Sequence, residues 1–374
     1  MQPIHVIHVC DKFGMRGSTI HGASRLFAWW MPRFDSERFN VKLYALKRPD
    51  SASRALEAQG VRLSYLGKSA FNPGTLASFV GVIRREQADV LHLHGWIAAN
   101  YGRMAGRLTG VPTIMHEHGV EPNFPKTQRA ADFILAGFTH TAVAVSQGVR
   151  DFLINKRFVR PSKIRLIYNG APIEKFTPAD PDAVASEKRR LGIPPDSPVI
   201  GTVGRLDTEK GMNYLLQSAK RVLAQFPEAR FLIVGDGPKR EELEAEARDL
   251  GILQSVVFTG YRSDVPLLQS LMDIQAFASL WEGTPLTAFE AMAMGKTIVS
   301  TNAGGLGEIL EDGRSALVVP TCDPQALSDA ITRLLADRSL ADKLAANAKM
   351  MSRAYDISRT VRKLELLYEE LCND

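Results

Sequence analysis

The sequence predicts an α/β protein built from two doubly wound parallel-sheet domains, and three observations carry that expectation. Short apolar, β-rich runs alternate with longer helical patterns along all 374 residues. The runs are apolar throughout rather than alternating with polar residues, as in strands covered by helices on both faces. The chain is also too long for one ordinary core, and the alternation falls into two sets.

In the first set the strand candidates are 4–9, 41–45, 61–65, 90–93, 113–116, 141–145 and 164–168. In the second they are 199–203, 231–234, 256–259, 274–278, 297–300 and 316–319. Residues 169–198 separate the sets; this stretch is dense in Pro, Gly and Asp and holds one short charged helical pattern. The expected division is a first domain over 1–172, a linker over 173–197 and a second domain over 198–355. A C-terminal amphipathic helix within 356–374 has no strand after it and is free to cross back to the first domain. Two open parallel sheets joined by a hinge create a cleft, with ligands bound beyond the carboxyl ends of the strands. The loops that follow strands are therefore where chemistry is expected.

Hydrophobic residues at 45% and charged residues at 23% are what a soluble globular chain carries. No apolar run is long enough to span a bilayer. The opening MQPIHVIHVC lacks a basic start and enters a strand pattern directly, unlike a signal peptide. Cys10, Cys322 and Cys372 are widely separated, which points away from a disulfide framework or a zinc site and toward a reducing cytoplasm. The net charge of +5 conceals an asymmetry: residues 1–172 hold 23 Lys and Arg against 11 Asp and Glu, the remainder 23 against 30. The basic half either meets something anionic or is a solvated face. Nothing resembles a nucleic-acid recognition motif, so the anionic partner expected is a membrane surface or a phosphorylated acceptor.

The segment SLWEGTPLTAFEAMAMGKTIVS, 279–300, carries the most information. After a strand, Glu282-Gly283 makes a turn, Thr284 suits a helix N-cap, Pro285 the first helical position and Gly295 the C-terminal stop. The free amides around Gly283, Thr284, Leu286 and Thr287 then form a place for a phosphate. Glu282 and Glu290 bracket that place. Carboxylates beside an anion site are costly unless they bind something else, such as sugar hydroxyls; the bland alternative is two solvated side chains.

The Glu-x7-Glu arrangement within S-x-x-EG-x-x-L-x-x-x-EAMA-x-G resembles the signature of family-4 retaining glycosyltransferases of the GT-B fold, two facing Rossmann-like domains. The resemblance extends to GRLDTEKG at 204–211, VGDGP at 234–238, VFTGYRSDVPLL at 257–268 and IYNGAPIEKF at 167–176. It implies a metal-independent transfer of a sugar from a nucleotide diphosphate sugar to an acceptor, often a lipid-linked precursor of a bacterial surface polysaccharide. Such an enzyme would work in the cytoplasm, peripheral on the inner face of the plasma membrane. By the same resemblance Arg205 and Lys210, beside Gly204, hold the donor diphosphate. Glu290 accepts from the donor ribose, Glu282 contacts the transferred sugar, and His118, before Gly119 in PTIMHEHG, lies near that sugar. Tyr261 and Arg262 follow a strand and are candidates to neighbour the base. No Asp-x-Asp motif is present, in keeping with no metal and no cofactor.

Departures from the family pattern are visible. In the loop 11–25, Gly17, His21 and Gly22 take the place of a glycine-rich turn, with His21-Gly22 where two adjacent glycines are common. That leaves its acceptor or phosphate contacts in doubt. His92, His94, His116 and His118 form two His-x-His pairs at strand spacing, a pattern that can also ligate zinc or iron. Phe27, Trp29, Trp30, Met31 and Phe34, with six basic residues in 150–165, either dock the first domain on an anionic membrane or pack in its core. Rival functions are a sugar-nucleotide epimerase of the same fold, a pyridoxal-phosphate phosphorylase and a non-catalytic sugar-nucleotide-binding subunit.

Overall fold

The computed structural model describes residues 2–14, 22–69, 72 and 74–373. Gly17 and His21 therefore lie outside the described residues. Among these residues, thirteen strands form two parallel sheets. The first contains β1 (Ile4–Cys10), β2 (Phe39–Ala45), β3 (Leu63–Tyr65), β4 (Val90–His94), β5 (Thr113–Glu117), β6 (Thr141–Ala144) and β7 (Ile164–Leu166), in spatial order β3-β2-β1-β4-β5-β6-β7. The second contains β8 (Val199–Val203), β9 (Arg230–Val234), β10 (Val256–Gly260), β11 (Ile274–Phe277), β12 (Thr297–Thr301) and β13 (Leu317–Val319), in order β10-β9-β8-β11-β12-β13. The α/β class and the two sheets match the expectation, with strand ends displaced by a residue or two.

In each sheet the order reverses once, between β1 and β4 and between β8 and β11. Open parallel sheets hold ligands outside the carboxyl ends of the strands at such a reversal. The helices are amphipathic: in Met212–Leu223 the buried residues Met212, Leu215, Leu216, Ala219 and Val222 recur at helical spacing and pack with Ile200, Phe231 and Ile233 of the sheet.

Two compact units divide the chain at Gly170/Ala171 and at Asp356/Ile357. The stretch 173–197 lies within the second unit, and its helix, Pro181–Arg190, is capped by Asp180. The C-terminal helix Ile357–Asn373 belongs to the first unit, where Leu364, Leu367 and Tyr368 are buried.

The first helix of the first unit, Gly22–Trp30, settles one open alternative. Trp30 and Phe27 are buried, as are Trp29 and Phe34, so these aromatics are core and not a membrane face.

Candidate active site

The second unit assembles its candidate residues on loops after β8, β11 and β12. Gly204 continues β8, its amide donating to the Val234 carbonyl at the end of β9. Arg205 follows and pairs with Asp207 at 2.6 Å. Lys210 closes a short 3₁₀ turn, and its Nζ donates to Glu282 Oε1 at 2.5 Å. Glu282 Oε1 also accepts from Ser279 Oγ at 2.8 Å. The two loops are tied by their backbones as well, Leu280 N donating to the Glu209 carbonyl at 2.8 Å. Burial opposes charge on Lys210, but the carboxylates of Glu282 and Glu209 outweigh it and raise its pKa. Lys210 therefore stays an ammonium at any physiological pH.

The helix after β11 runs Leu286–Ala293, with Pro285 as N-cap in extended conformation. This differs by one position from the expectation of Thr284 as cap and Pro285 as first helical residue. Proline has no amide to offer and sits outside the first turn, so the amides of Leu286 and Thr287 remain at the helix start. Gly283, Thr284 and Leu286 are buried and Thr287 half-buried. Glu290 is 0% exposed, which rules out the solvated alternative for it, and Glu282 is buried too.

Two glycines that the sequence reading passed over hold this loop. Gly304 has φ +47°, and a Cβ there would lie 2.2 Å from the Glu282 carbonyl oxygen. A Cβ on Gly305 would lie 1.7 Å from the Gly283 carbonyl oxygen. The loop after β12 thus packs backbone to backbone on the loop after β11, which only glycine allows. The signal was present as a Gly-Gly pair following a strand.

Tyr261 is 54% exposed. Arg262 is engaged in ion pairs, its Nε 2.7 Å from Asp264 Oδ1 and its Nη1 3.0 Å from Glu187 Oε1. Its side chain ties the loop after β10 to the helix Pro181–Arg190.

In the first unit, Asp11 follows β1 and accepts from the amides of Ile97 and Ala98 at 2.9 and 2.6 Å, capping the helix that follows β4. Burial pushes its carboxyl up to about 6 despite those bonds. Gly22 begins the first helix and is exposed. Behind β5, Arg157 pairs with Glu117 at 2.6 Å and with Asp132 at 2.8 Å, and Arg103 pairs with the same Asp132 at 2.5 Å. Arg157 is buried, so one of the six basic residues of 150–165 is structural and faces no partner surface.

His118 follows β5 directly, its Nε2 3.0 Å from His94 Nδ1. His94 Nε2 is 3.0 Å from His8 Nδ1, and His92 Nε2 is 2.9 Å from His116 Nδ1. The Tyr368 hydroxyl joins the rows, 2.8 Å from His92 Nδ1 and 3.0 Å from His8 Nε2. His8, His92, His94 and His116 are all buried, and burial lowers the pKa of each, that of His8 to about 3. They are neutral imidazoles. The His-x-His spacing showed four of the five; His8 and Tyr368 were not legible, because they arrive from other elements.

The description "Glycosyl transferases group 1" matches residues 184–351, and "Glycosyltransferase Family 4" matches 20–175. A UDP-Gal:alpha-D-GlcNAc-diphosphoundecaprenol alpha-1,3-galactosyltransferase of Escherichia coli is 28% identical over 310 residues, 79% of each chain. The alpha-D-kanosaminyltransferase of Streptomyces kanamyceticus is 30% identical over 308 residues, 77% of this chain and 79% of that one. Among solved structures, a glycosyltransferase of Rickettsia africae superposes with a TM-score of 0.86 at 19% identity, covering 99% of both chains. Anabaena Alr3699/HepE in complex with UDP does so with 0.85 at 19% identity, over 98% of this chain and 100% of that one.

Proposed function

Because this chain belongs to the group 1 glycosyltransferases of family 4, with the GT-B architecture, we propose that it transfers a sugar from a nucleotide diphosphate donor with retention of anomeric configuration. In this reading no metal takes part, and the acceptor is a lipid-linked or saccharide precursor of a polysaccharide. The E. coli relative, whose name gives a UDP-galactose donor and a diphosphoundecaprenol-linked acceptor, supports that choice and puts UDP-galactose first among donors to try.

The observation that carries the reading is the ion pair of Lys210 with Glu282 across the loops after β8 and β11, with Arg205 on the same loop as Lys210, where both lie within 4.0 Å of Glu209. As the bond from the sugar's anomeric carbon to the β-phosphate oxygen breaks, negative charge builds on the departing diphosphate. Two fixed cations and the amides at the start of Leu286–Ala293 stabilise that charge, which is the work a metal would otherwise do. The acceptor oxygen bonds the anomeric carbon, and its proton passes to the leaving phosphate. In this reading Glu282, held by Lys210 and Ser279, meets the transferred sugar's hydroxyls. Glu290 is a buried carboxylate, an environment in which ribose hydroxyls are favourable donors. In the first unit, His118 is the residue assigned to the sugar. Tyr261, exposed, stands as the base neighbour; Arg262 is committed to Asp264 and Glu187 and acts through loop position instead.

The test is release of free nucleoside diphosphate from UDP-, GDP- and ADP-sugars in the presence of EDTA. One donor is expected to be turned over slowly, with Arg205→Ala lowering the rate by about 10²-fold or more and Glu290→Ala weakening donor binding. Activity that EDTA abolishes and magnesium restores would remove the metal-free mechanism. If no donor is turned over and none raises the melting temperature, the assignment of this site is wrong.

The anionic-surface reading moves to another part of the first unit. The helix Lys126–Leu135 exposes Phe133 and Ile134, 67% and 73% accessible, with Lys126 and Arg129 exposed on the same helix. Lys156 and Arg160, in the neighbouring stretch, are exposed as well. Apolar side chains rimmed by cations suit the headgroup region of an anionic membrane, where a lipid-linked acceptor is found.

A further inference from the structure

At the loop after β8, two cations stand among three carboxylates. Arg205 Nη2 is 2.6 Å from Asp207 Oδ2, and Lys210 Nζ is 2.5 Å from Glu282 Oε1. One further oxygen is shared by both cations: Glu209 Oε1 lies 3.7 Å from Arg205 Nη2 and 4.0 Å from Lys210 Nζ. An anionic oxygen flanked by a guanidinium and an ammonium has the surroundings that a phosphate oxygen seeks.

The three carboxylates are held unequally. Asp207 also accepts from its own turn, its Oδ1 2.7 Å from the Thr208 amide, which makes it the cap of the 3₁₀ turn Thr208–Lys210. Glu282 accepts from Ser279 as well as from Lys210. Glu209 has no such support. Both of its cation distances exceed hydrogen-bond reach, and among the described residues its carboxylate accepts no hydrogen bond. Its side chain is 33% exposed against 9% for Glu282, so solvent is open to it. The backbone beneath it is fixed. The Glu209 carbonyl accepts from the Leu280 amide, and Gly211, at φ +57°, closes the turn where a Cβ would collide with the Ala278 carbonyl oxygen. Movement is therefore left to the Glu209 side chain.

Charge gives that movement a purpose. Two cations beside three carboxylates leave the cluster with one net negative charge, 2 − 3 = −1. A diphosphate arriving with every carboxylate in place meets repulsion. Of the three, Glu209 is the one whose departure opens a place between both cations and breaks no hydrogen bond.

We propose that Glu209 is a resident anion of the donor site: without donor its carboxylate balances Arg205 and Lys210, and it swings into solvent when a diphosphate takes its place. The proposal rests on the assignment of Arg205 and Lys210 to the donor diphosphate made above. It adds that binding of the diphosphate must displace Glu209, and that its return between the two cations assists release of the product nucleoside diphosphate. Glu209 thus acts through Arg205 and Lys210, as a positioning residue that sets affinity.

Calorimetric titration of the full-length protein with UDP, GDP and ADP in EDTA tests this. Glu209→Gln keeps the size of the side chain and removes its charge. The diphosphate that binds the parent is expected to bind this variant about threefold or more tightly, the scale of a partly exposed ion pair. The gain must shrink as salt rises, because repulsion between charges is screened. In turnover, KM for the donor is expected to fall while kcat does not rise, since product leaves more slowly. Equal or weaker binding in Glu209→Gln overturns the proposal, and so does a gain that salt leaves unchanged, which marks a rearranged turn. If Glu209→Gln has a lowered melting temperature, Glu209→Ala carries the same expectations. Should one diphosphate bind the parent, and more weakly Arg205→Ala, while both Glu209 variants match the parent, the site assignment stands and the proposal alone falls. If the parent binds none of the three, both fall.

Discussion

A neutral histidine in a protein interior has a consequence for acid stability that follows from the sign of its pKa shift. His8 titrates near 6.5 unfolded and is lowered to about 3 in the fold, with burial as the main cause and His118 adding to it. Above pH 6.5 both states are neutral and the group contributes nothing. Between 6.5 and 3 the unfolded chain takes up a proton that the folded chain refuses, so stability falls as pH falls, by up to about 1.4 kcal/mol per pH unit per group. His92, His94 and His116 are lowered in the same direction. Asp11 and Glu117 work oppositely: burial raises the first carboxyl from 3.8 to about 6 and raises the second as well, so each adds stability as pH falls, but they are two groups against four histidines. Denaturant unfolding across pH is therefore expected to show a decline beginning near pH 6.5, steeper than one proton per molecule. A plateau flat to pH 5 would mean that these rings are not held neutral. The His-x-His pairs were legible in sequence because both members share a strand. The reason for their neutrality was not, since it is burial, brought about by elements far apart in sequence, among them β1 and the last helix.

At the scale of elements, the site of the second unit depends on how two loops meet. The sequence showed β11, its following helix and the Glu282–Glu290 pair, because helix stops and strand runs are local signals. It did not show that the loop after β12 braces them. Gly305 touches the Gly283 carbonyl so closely that any Cβ must displace one backbone or the other. Gly305→Ala is expected to lower nucleotide-release activity at least about tenfold, since a shift near 1 Å can cost that much or more. Its melting temperature should drop modestly, because Ala at this position disturbs a loop and not the apolar core. Activity equal to the parent would show that the brace does not set the position of Glu282. The one-residue difference at the helix start has the same origin. Thr284 is a good cap by type, but extended Pro285 takes that place in the turn that leads from Glu282 into the helix.

For the whole molecule the charge asymmetry is the property that reaches furthest from the surface. The strand series was readable along its full length, and with it the fold class, since two-sided burial leaves nearly unbroken apolar runs. Which aromatics meet solvent was not readable: Trp29 and Trp30 have the composition of a membrane face yet lie in the core, while Phe133 and Ile134 protrude from a helix that looks polar. If the basic first half docks on lipid, vesicles with anionic lipid should retain the protein at low salt and release it as salt rises, because exposed charges are screened within about 10 Å at 0.1 M. Phe133→Ser combined with Ile134→Ser should weaken retention without altering nucleotide release. Equal recovery on neutral vesicles would remove the membrane reading.

The return of the helix Ile357–Asn373 to the first unit also sets when that unit can be closed during synthesis. His8 meets Tyr368 across 360 residues of sequence. At typical elongation of about 5–20 residues per second, the two emerge roughly 20–70 s apart. The seven strands of the first unit are thus made long before the hydroxyl that joins its two histidine rows. During that interval the nascent unit holds its imidazoles without their bridge, and the second unit has time to fold before the first is closed.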